Sequence, residues 1–428
     1  MIRKSRDTDV PVMVEIVNAA AQAYRGAIPA DRWHDPYMPR AEMEKEISDG
    51  VAFWVAEEGG RIVAIMGIQD KGDVALVRHA YVRPTLQRTG LGSKLLKHVQ
   101  ALTARPVLIG TWAAATWAID FYRRNGFTLV TEAEKSALLK KYWSIPERQI
   151  ETSVVLADKS WTDKKFAGSI PKIYDTYMVP LIFQPYAADL AARLAPLRPS
   201  RVLEIAAGTG VVTRQLAATL AADVSITATD LNPPMLDMAK EAGTVRPVEW
   251  QQADAMQLPF DAASFDAVVC QFGAMFFPDK GQAFAQARRV LRPGGTFLFN
   301  VWDRIEEYDF ADEVTRALAT LFPQDPPRFM ARIPHGYHER GAIERDLYAG
   351  GFNAKPRIET IAARSRASSP LVPAMAYCEG TPLRSEIEAR DASRLAEATH
   401  AAAKAIEKRF GSGDVDGKIQ AHVVTIPR

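Results

Sequence analysis

The chain has 428 residues, 47% hydrophobic and 24% charged, with 53 Lys and Arg against 51 Asp and Glu. That length exceeds a single hydrophobic core and calls for two or three domains of ordinary globular composition. Charge is evenly spread, 21 basic against 19 acidic residues over 1–158 and 32 of each beyond, which excludes the basic excess of a nucleic-acid binder, and no run of about 18 apolar residues suits a membrane span.

The charged start, Met1 to Asp7, has no apolar stretch behind it, so a cytoplasmic protein is expected. Cys270 and Cys378 lack metal-ligand spacing and read as packed thiols.

Residues 9–24 carry apolar side chains at helical spacing, and 39–48 read as a second, more charged helix. Three extended runs, 51–57, 61–69 and 74–82, are separated by Glu58-Gly59-Gly60 and Lys71-Gly72-Asp73, the punctuation of consecutive antiparallel strands. The third ends at Tyr81-Val82, and a loop carrying Gln87, Gly90 and Gly92 leads into an amphipathic helix over 94–103. A strand feeding a glycine-containing loop and a helix N-terminus gathers unpaired N–H groups around one point, a good seat for a pyrophosphate. Further on, residues 118–127 read as a helix closing on Asn125-Gly126 before a new strand. A helix over 132–142 and a strand over 151–156 complete the domain, and 158–165 is a polar linker.

Gln87-x-x-Gly90-x-Gly92, followed by the helix that carries Tyr122, resembles the GCN5-related N-acetyltransferase (GNAT) family over the whole of 1–158. The resemblance implies that backbone N–H groups of Arg88, Thr89, Gly90, Leu91, Gly92 and Ser93 cradle the pyrophosphate of acetyl-CoA. It implies also that the splayed strand end at Tyr81 and Val82 pairs with the pantetheine arm, and that Tyr122 is the general acid for the departing thiolate. A phenol of pKa ~10 suits that task because it stays protonated at neutral pH. His79 is either the base that relays a proton from an amine or a histidine packed in the sheet. Ala115 stands where the family often has Asn, so one coenzyme contact is missing or otherwise supplied. Trp33, Tyr37, Trp54, Trp112 and Trp117 either line an acceptor pocket or fill a core.

Beyond the linker, 166–178 and 181–195 read as two helices carrying Tyr174, Tyr177, Phe183 and Tyr186. An apolar run then stops at Ala206-Ala207-Gly208-Thr209-Gly210 and gives way to a helix. The glycines let backbone approach a ligand closely. A dinucleotide site wants a third small residue where Thr213 stands, and does not explain Glu204, whose carboxylate suits a cationic ligand. Asp230 closes the next strand at the distance where an acidic side chain reaches ribose hydroxyls. Strands at 224–230, 248–252, 265–270 and 296–301 alternate with helices at 233–241 and 281–291, which implies a doubly wound parallel sheet with its ligand at the strands' carboxyl ends.

Glu204-x-Ala206-x-Gly208-x-Gly210, Asp230, Gln252-Ala253-Asp254-Ala255 and Leu291-Arg292-Pro293-Gly294-Gly295, in that order, resemble the class I S-adenosylmethionine-dependent methyltransferases. The resemblance implies that Glu204 faces the methionine amino group, with Ala206, Gly208 and Gly210 forming the turn beneath the cofactor. Asp230, followed by Leu231, takes the ribose hydroxyls, Asp254 and Ala255 the adenine, and Gln271 with Phe272 the sulfonium side. Asn232-Pro233-Pro234-Met235 follows the second strand and is read as a helix cap.

His335, Tyr337 and His338 fall after the fifth strand and are either a base or part of a solvated loop. A helix at 342–349, a strand at 355–363, helices at 371–379 and 384–410 and a strand at 418–426 follow. The inserted helices either cover the acceptor side or form a homodimer contact.

The expected fold is therefore α/β: a mixed, largely antiparallel acetyltransferase-type sheet over 1–158, then a doubly wound Rossmann-like domain over 159–428. The expected function is a bifunctional transferase using acetyl-CoA and S-adenosyl-L-methionine on small-molecule acceptors, with no metal, nucleic acid or membrane partner. The alternatives are an acetyl-CoA-binding domain that regulates an active methyltransferase, and modification of RNA or a protein.

Overall fold

The computed structural model describes residues 1–103, 105–163, 166 and 169–428, without the side chains of Ala133 and Thr162. Part of the expected linker at 158–165, and residues 167–168 of the first expected leading helix, lie outside the described residues. Two compact units are present, Met1–Thr162 and Asp163–Arg428.

The first unit is a seven-stranded sheet of β1 (Ile2–Lys4), β2 (Val51–Glu58), β3 (Arg61–Asp70), β4 (Ala75–Val82), β5 (Val107–Trp112), β6 (Thr128–Leu129) and β7 (Ser153–Ala157), in the order β1-β2-β3-β4-β5-β7-β6. All neighbours are antiparallel except β4 and β5. That parallel pair holds register only at Ala75, Leu76 and Val77 against Val107, Leu108 and Ile109. Beyond Val77 the two strands part, which leaves one edge of Tyr81 and Val82 open. Sequence reasoning misses β5, because its apolar run is three residues long between Pro106 and Gly110. It also misses the helix Glu147–Thr152, which displaces the expected strand at 151–156 to β7.

Helix Val10–Ala21 packs Met13, Ile16 and Val17 on one face of the sheet with Phe53 and Val55. Helices Leu91–Gln100 and Thr116–Arg124 pack on the other, through Leu95, Leu96, Val99, Ile119 and Tyr122.

The second unit holds β8 (Arg201–Ile205), β9 (Ser225–Asp230), β10 (Glu249–Gln252), β11 (Phe265–Gln271), β12 (Leu291–Trp302), β13 (Arg357–Ala367) and β14 (Val415–Pro427), in the order β10-β9-β8-β11-β12-β14-β13. The first five are mutually parallel, and β14 runs antiparallel to β12 and β13. Helices cover both faces, giving the doubly wound sheet that the alternating pattern predicts. The strand order reverses between β8 and β11, which opens a crevice at their carboxyl ends.

The leading segment differs from two separate helices. A short helix, Ile170–Ile173, runs into a π-helix, Tyr174–Phe183, and on into Gln184–Leu194. Pro180 lies inside the π-helical stretch, where its missing N–H removes one rung of the ordinary helical ladder. The helix expected over 384–410 is two, Leu383–Asp391 and Leu395–Phe410, broken where the Asp391 carboxylate accepts the Ser393 N–H at 3.0 Å. Helix Asp309–Leu321, absent from the sequence reading, buries Phe310, Val314 and Leu318 at helical spacing.

Cys270 and Cys378 are buried free thiols. No helix among the described residues is long and apolar enough to cross a membrane, and no cluster of metal-ligating side chains occurs among them.

Candidate active sites

In the first unit a cleft of about 920 Å³ is lined by Tyr81, Val82, Arg88, Gly90, Gly92, Ser93 and Tyr122. It lies against the open edge of β4 and the start of helix Leu91–Gln100. Gly90 caps that helix at φ +86°, so the first-turn N–H groups, which have no helical partner, face the loop. Two expected residues do not line the cleft. The Thr89 hydroxyl donates to the Leu86 carbonyl at 2.8 Å, and Leu91 is drawn into the core by its apolar side chain.

A second cleft, about 160 Å³, adjoins the first. Tyr24, Ala80, Tyr81 and Tyr122 line both. Of the aromatic residues singled out above, Tyr37 and Trp112 line the second cleft and Trp117 the first, while Trp33 and Trp54 pack against the core. Tyr24 was not anticipated, since nothing in its sequence neighbourhood distinguishes it from a core aromatic at a helix end.

Burial pushes the Tyr122 phenol well above its ordinary value, with Tyr24 adding to the effect, so its proton is retained at neutral pH. The Tyr24 phenol is pushed up to about 12, chiefly by burial. His79 lines the second cleft. The registers Ile65 with Tyr81 and Gly67 with Arg78 leave Met66 opposite both His79 and Ala80, a bulge in which His79 takes φ +50°. The bulge turns the histidine out of the regular alternation. Its Nε2 lies 3.2 Å from Glu46 Oε2, an ion pair when the ring is protonated. Burial alone raises the Glu46 carboxyl, but His79 and Arg78 outweigh it and hold the group below the usual range.

In the second unit the turn after β8 brings three residues to positive φ: Ala206 (+56°), Gly208 (+57°) and Gly210 (+82°). A Cβ on Gly210 would stand 2.9 Å from the Trp250 ring and 3.1 Å from Ala239 Cβ, so the position admits glycine alone. Asp230, at the end of β9, accepts the Gly208 N–H at 2.8 Å through one oxygen and the Asn232 N–H at 2.8 Å through the other. Burial raises its carboxyl and these N–H groups counter it.

A cavity of about 120 Å³ at these strand ends gathers Ala206, Gly208, Asp230, Leu231, Asp254, Ala255 and Gln271, with Tyr174 and Phe272. Asp254 also accepts the Met256 N–H at 2.9 Å, so it serves its own turn as well as the cavity. Gln271 Nε2 donates to the Phe183 carbonyl at 3.3 Å, which ties the strand end to the leading segment. Glu204 and Gly210 do not line the cavity. Glu204 is 1% exposed, and Thr213 donates its hydroxyl to Glu204 Oε2 at 2.6 Å. Burial pushes this carboxyl up to about 8, against the Thr213 bond and the charge of Arg214. The position that departs from a dinucleotide fingerprint is therefore the partner of the buried acid.

The turn fits a charged nucleoside cofactor. Thr209 Oγ1 is buried with no partner among the described residues, beside the N-terminus of helix Val211–Thr219. The cavity, about 120 Å³, is smaller than the 300–1,000 Å³ of most ligand pockets.

Comparison with known proteins bears on both units. A family described as "Methyltransferase domain" matches residues 203–299, and one described as "Acetyltransferase (GNAT) domain" matches residues 49–129. The chain is 37% identical over 173 residues to the "Ubiquinone/menaquinone biosynthesis C-methyltransferase UbiE" of Teredinibacter turnerae, covering 37% of this chain and 70% of that protein. The chain belongs to the S-adenosylmethionine-dependent methyltransferases. Its methyltransferase unit is also 40% identical over 110 residues to the "Demethylmenaquinone methyltransferase" of Deinococcus radiodurans, but this match covers 25% of the chain and only 45% of that relative. Among solved structures, the S-adenosylmethionine-dependent methyltransferase of Mesorhizobium loti is 19% identical, with a TM-score of 0.32, over 56% of this chain and 96% of that one. The methyltransferase unit is thus preceded in the same chain by a GNAT domain.

Proposed function

We propose that the protein is a bifunctional transferase acting on small molecules, its first unit transferring acetyl from acetyl-CoA to an amine and its second methylating an acceptor with S-adenosyl-L-methionine. The observation that supports the reading is that most of the expected cofactor residues of each unit line one opening: Tyr81, Val82, Arg88, Gly90, Gly92 and Ser93 in one, beside Tyr122, and Ala206, Gly208, Asp230, Leu231, Asp254, Ala255 and Gln271 in the other.

In the first unit, acetyl-CoA supplies an activated acyl group when bound. The amides of the loop at 88–93 hold its diphosphate. Tyr122, at the junction of the two clefts, holds a proton where the thiolate departs. His79 faces the second cleft, where an amine would lose its proton, and Glu46 stabilises the charge the ring then carries.

In the methyltransferase unit, S-adenosyl-L-methionine supplies an activated methyl group. Asp230 orients toward the ribose, Asp254 and Ala255 toward the base, and the buried Glu204 provides negative charge behind the turn. Such transfer depends mainly on alignment, so the enclosing aromatic residues exclude water and fix the acceptor.

The test is a mass-spectrometric screen of a metabolite extract with both cofactors, looking for added acetyl and methyl groups. Gain of neither group on any small molecule, together with modification of tRNA or protein in the same extract, would replace this reading with a macromolecular one.

A further inference from the structure

The smaller cleft of the first unit encloses about 160 Å³ within a wall that is polar but holds no free charge. Among the described residues that line it there is no Asp, Glu or Lys, and one arginine, Arg78. Both nitrogens at the tip of that guanidinium are engaged: Nη2 donates to Glu46 Oε1 at 2.8 Å and Nη1 to Gln69 Oε1 at 3.1 Å. The second oxygen of Glu46 faces His79 Nε2 at 3.2 Å. Glu46 is therefore shared between Arg78 and His79, and none of the three is left to pair with a charge that a ligand brings in.

The rest of the polar wall is neutral. Tyr24, Tyr37, Tyr81 and Tyr122 contribute four phenols. Burial, the largest influence on each, raises them, so all keep their protons at neutral pH. Thr111, Gln149 and Ser153 add two hydroxyls and an amide. Groups of this kind both donate and accept, which suits hydroxyls on a ligand. On another side Trp143 lies against the backbone of Gly110, where a Cβ would stand 3.2 to 3.3 Å from three atoms of the indole. The ring is thus a fixed, flat side of a narrow space that admits a compact molecule.

An ammonium group entering this cleft meets aromatic faces, which attract a cation without a carboxylate. Its charge is also lost before acetyl transfer, because the amine must give up a proton to attack. A second charge has no such escape. A carboxylate or a second ammonium would leave water for a wall with no free partner, which is strongly disfavoured, whereas a hydroxyl of similar size finds donors and acceptors there.

We infer that the acceptor of the first unit is a compact hydroxylated amine whose amino group is its only charge, an amino alcohol rather than an amino acid or a diamine. This rests on the acetyl-transfer reading, and the experiment tells the two apart. Release of coenzyme A from acetyl-CoA is followed on the full chain with four amines of one three-carbon skeleton, rates being compared per unprotonated amine. Serinol carries two hydroxyls; serine has a carboxylate in place of one hydroxymethyl group; diaminopropanol has a second ammonium; isopropylamine has no hydroxyl. Transfer to serinol exceeds transfer to serine and to diaminopropanol by at least about a hundredfold, the scale of one unpaired desolvated charge. It exceeds transfer to isopropylamine by about tenfold. Gln149→Arg, which sets a guanidinium on the lining, raises serine relative to serinol by about tenfold. Equal transfer to serinol and serine, a preference for either doubly charged amine, turnover of none of the four, or a serine-to-serinol ratio unmoved in Gln149→Arg would overturn the proposal. Failure of the parent protein to bind acetyl-CoA in calorimetry would instead overturn the acetyl-transfer reading.

Discussion

Thr213 and Glu204, nine positions apart, are joined by a 2.6 Å hydrogen bond inside the methyltransferase unit, the hydroxyl of one donating to the carboxyl of the other. The bond ties the first turn of helix Val211–Thr219 to the strand beneath it. Thr213→Val removes the donor from a buried acid and is expected to cost about 1–3 kcal/mol of stability. Thr213→Ser restores most of it. Denaturant unfolding of the two variants against the parent checks this.

The same burial makes Glu204 a proton-linked group. Its folded value, about 8, lies above the ordinary 4.5, so its contribution to stability is complete below pH 4.5 and is lost as pH rises through 8. The ligand-free parent should lose thermal stability over that window relative to Glu204→Gln. An ammonium group settling near Glu204 would favour the ionised form and expel the proton. Calorimetry of S-adenosylhomocysteine at pH 7, in buffers of different ionisation enthalpy, should show proton release in the parent and markedly less in Glu204→Gln.

Gly273 follows β11, and a Cβ there would meet Ala206 Cβ at 2.4 Å and Cys270 Sγ at 2.8 Å. Neither neighbour has a flexible end to withdraw. Gly273→Ala should force the two strand ends apart, costing about 1–3 kcal/mol and weakening S-adenosylhomocysteine binding. Retention of full affinity by equilibrium dialysis would show that the crevice tolerates the shift.

Tyr122→Phe removes the proton held between the two clefts of the first unit. Acetyl transfer to an amine identified by the screen should fall roughly 10²- to 10⁴-fold, with acetyl-CoA affinity little changed. If turnover persists while binding is intact, the phenol serves packing instead.

The features legible in the sequence were those written in local pattern. The alternation of strand and helix after Arg201 and the turn residues Gly208 and Gly210 follow from periodicity and positive-φ demand, and Asp230 from its place at a strand end. What escaped depends on contacts between distant segments. His335 reads as either a base or part of a solvated loop, and only the Asp303 carbonyl and the Tyr308 ring, brought together in three dimensions, enclose it as a buried residue. Glu204 was expected to meet the cofactor directly, but its enclosure by Thr213 is a property of the folded turn. The π-helix looks like ordinary helical spacing interrupted by Pro180, since a widened turn has no periodic signature of its own.

Because Tyr24, Ala80, Tyr81 and Tyr122 are common walls of two adjoining clefts, the coenzyme and amine subsites proposed for the first unit abut one another. On that reading, an amine tethered through a short spacer to the sulfur of coenzyme A would span both subsites as a single molecule. Such a hybrid sacrifices its freedom of tumbling once instead of twice, and should hold on far longer than either half alone.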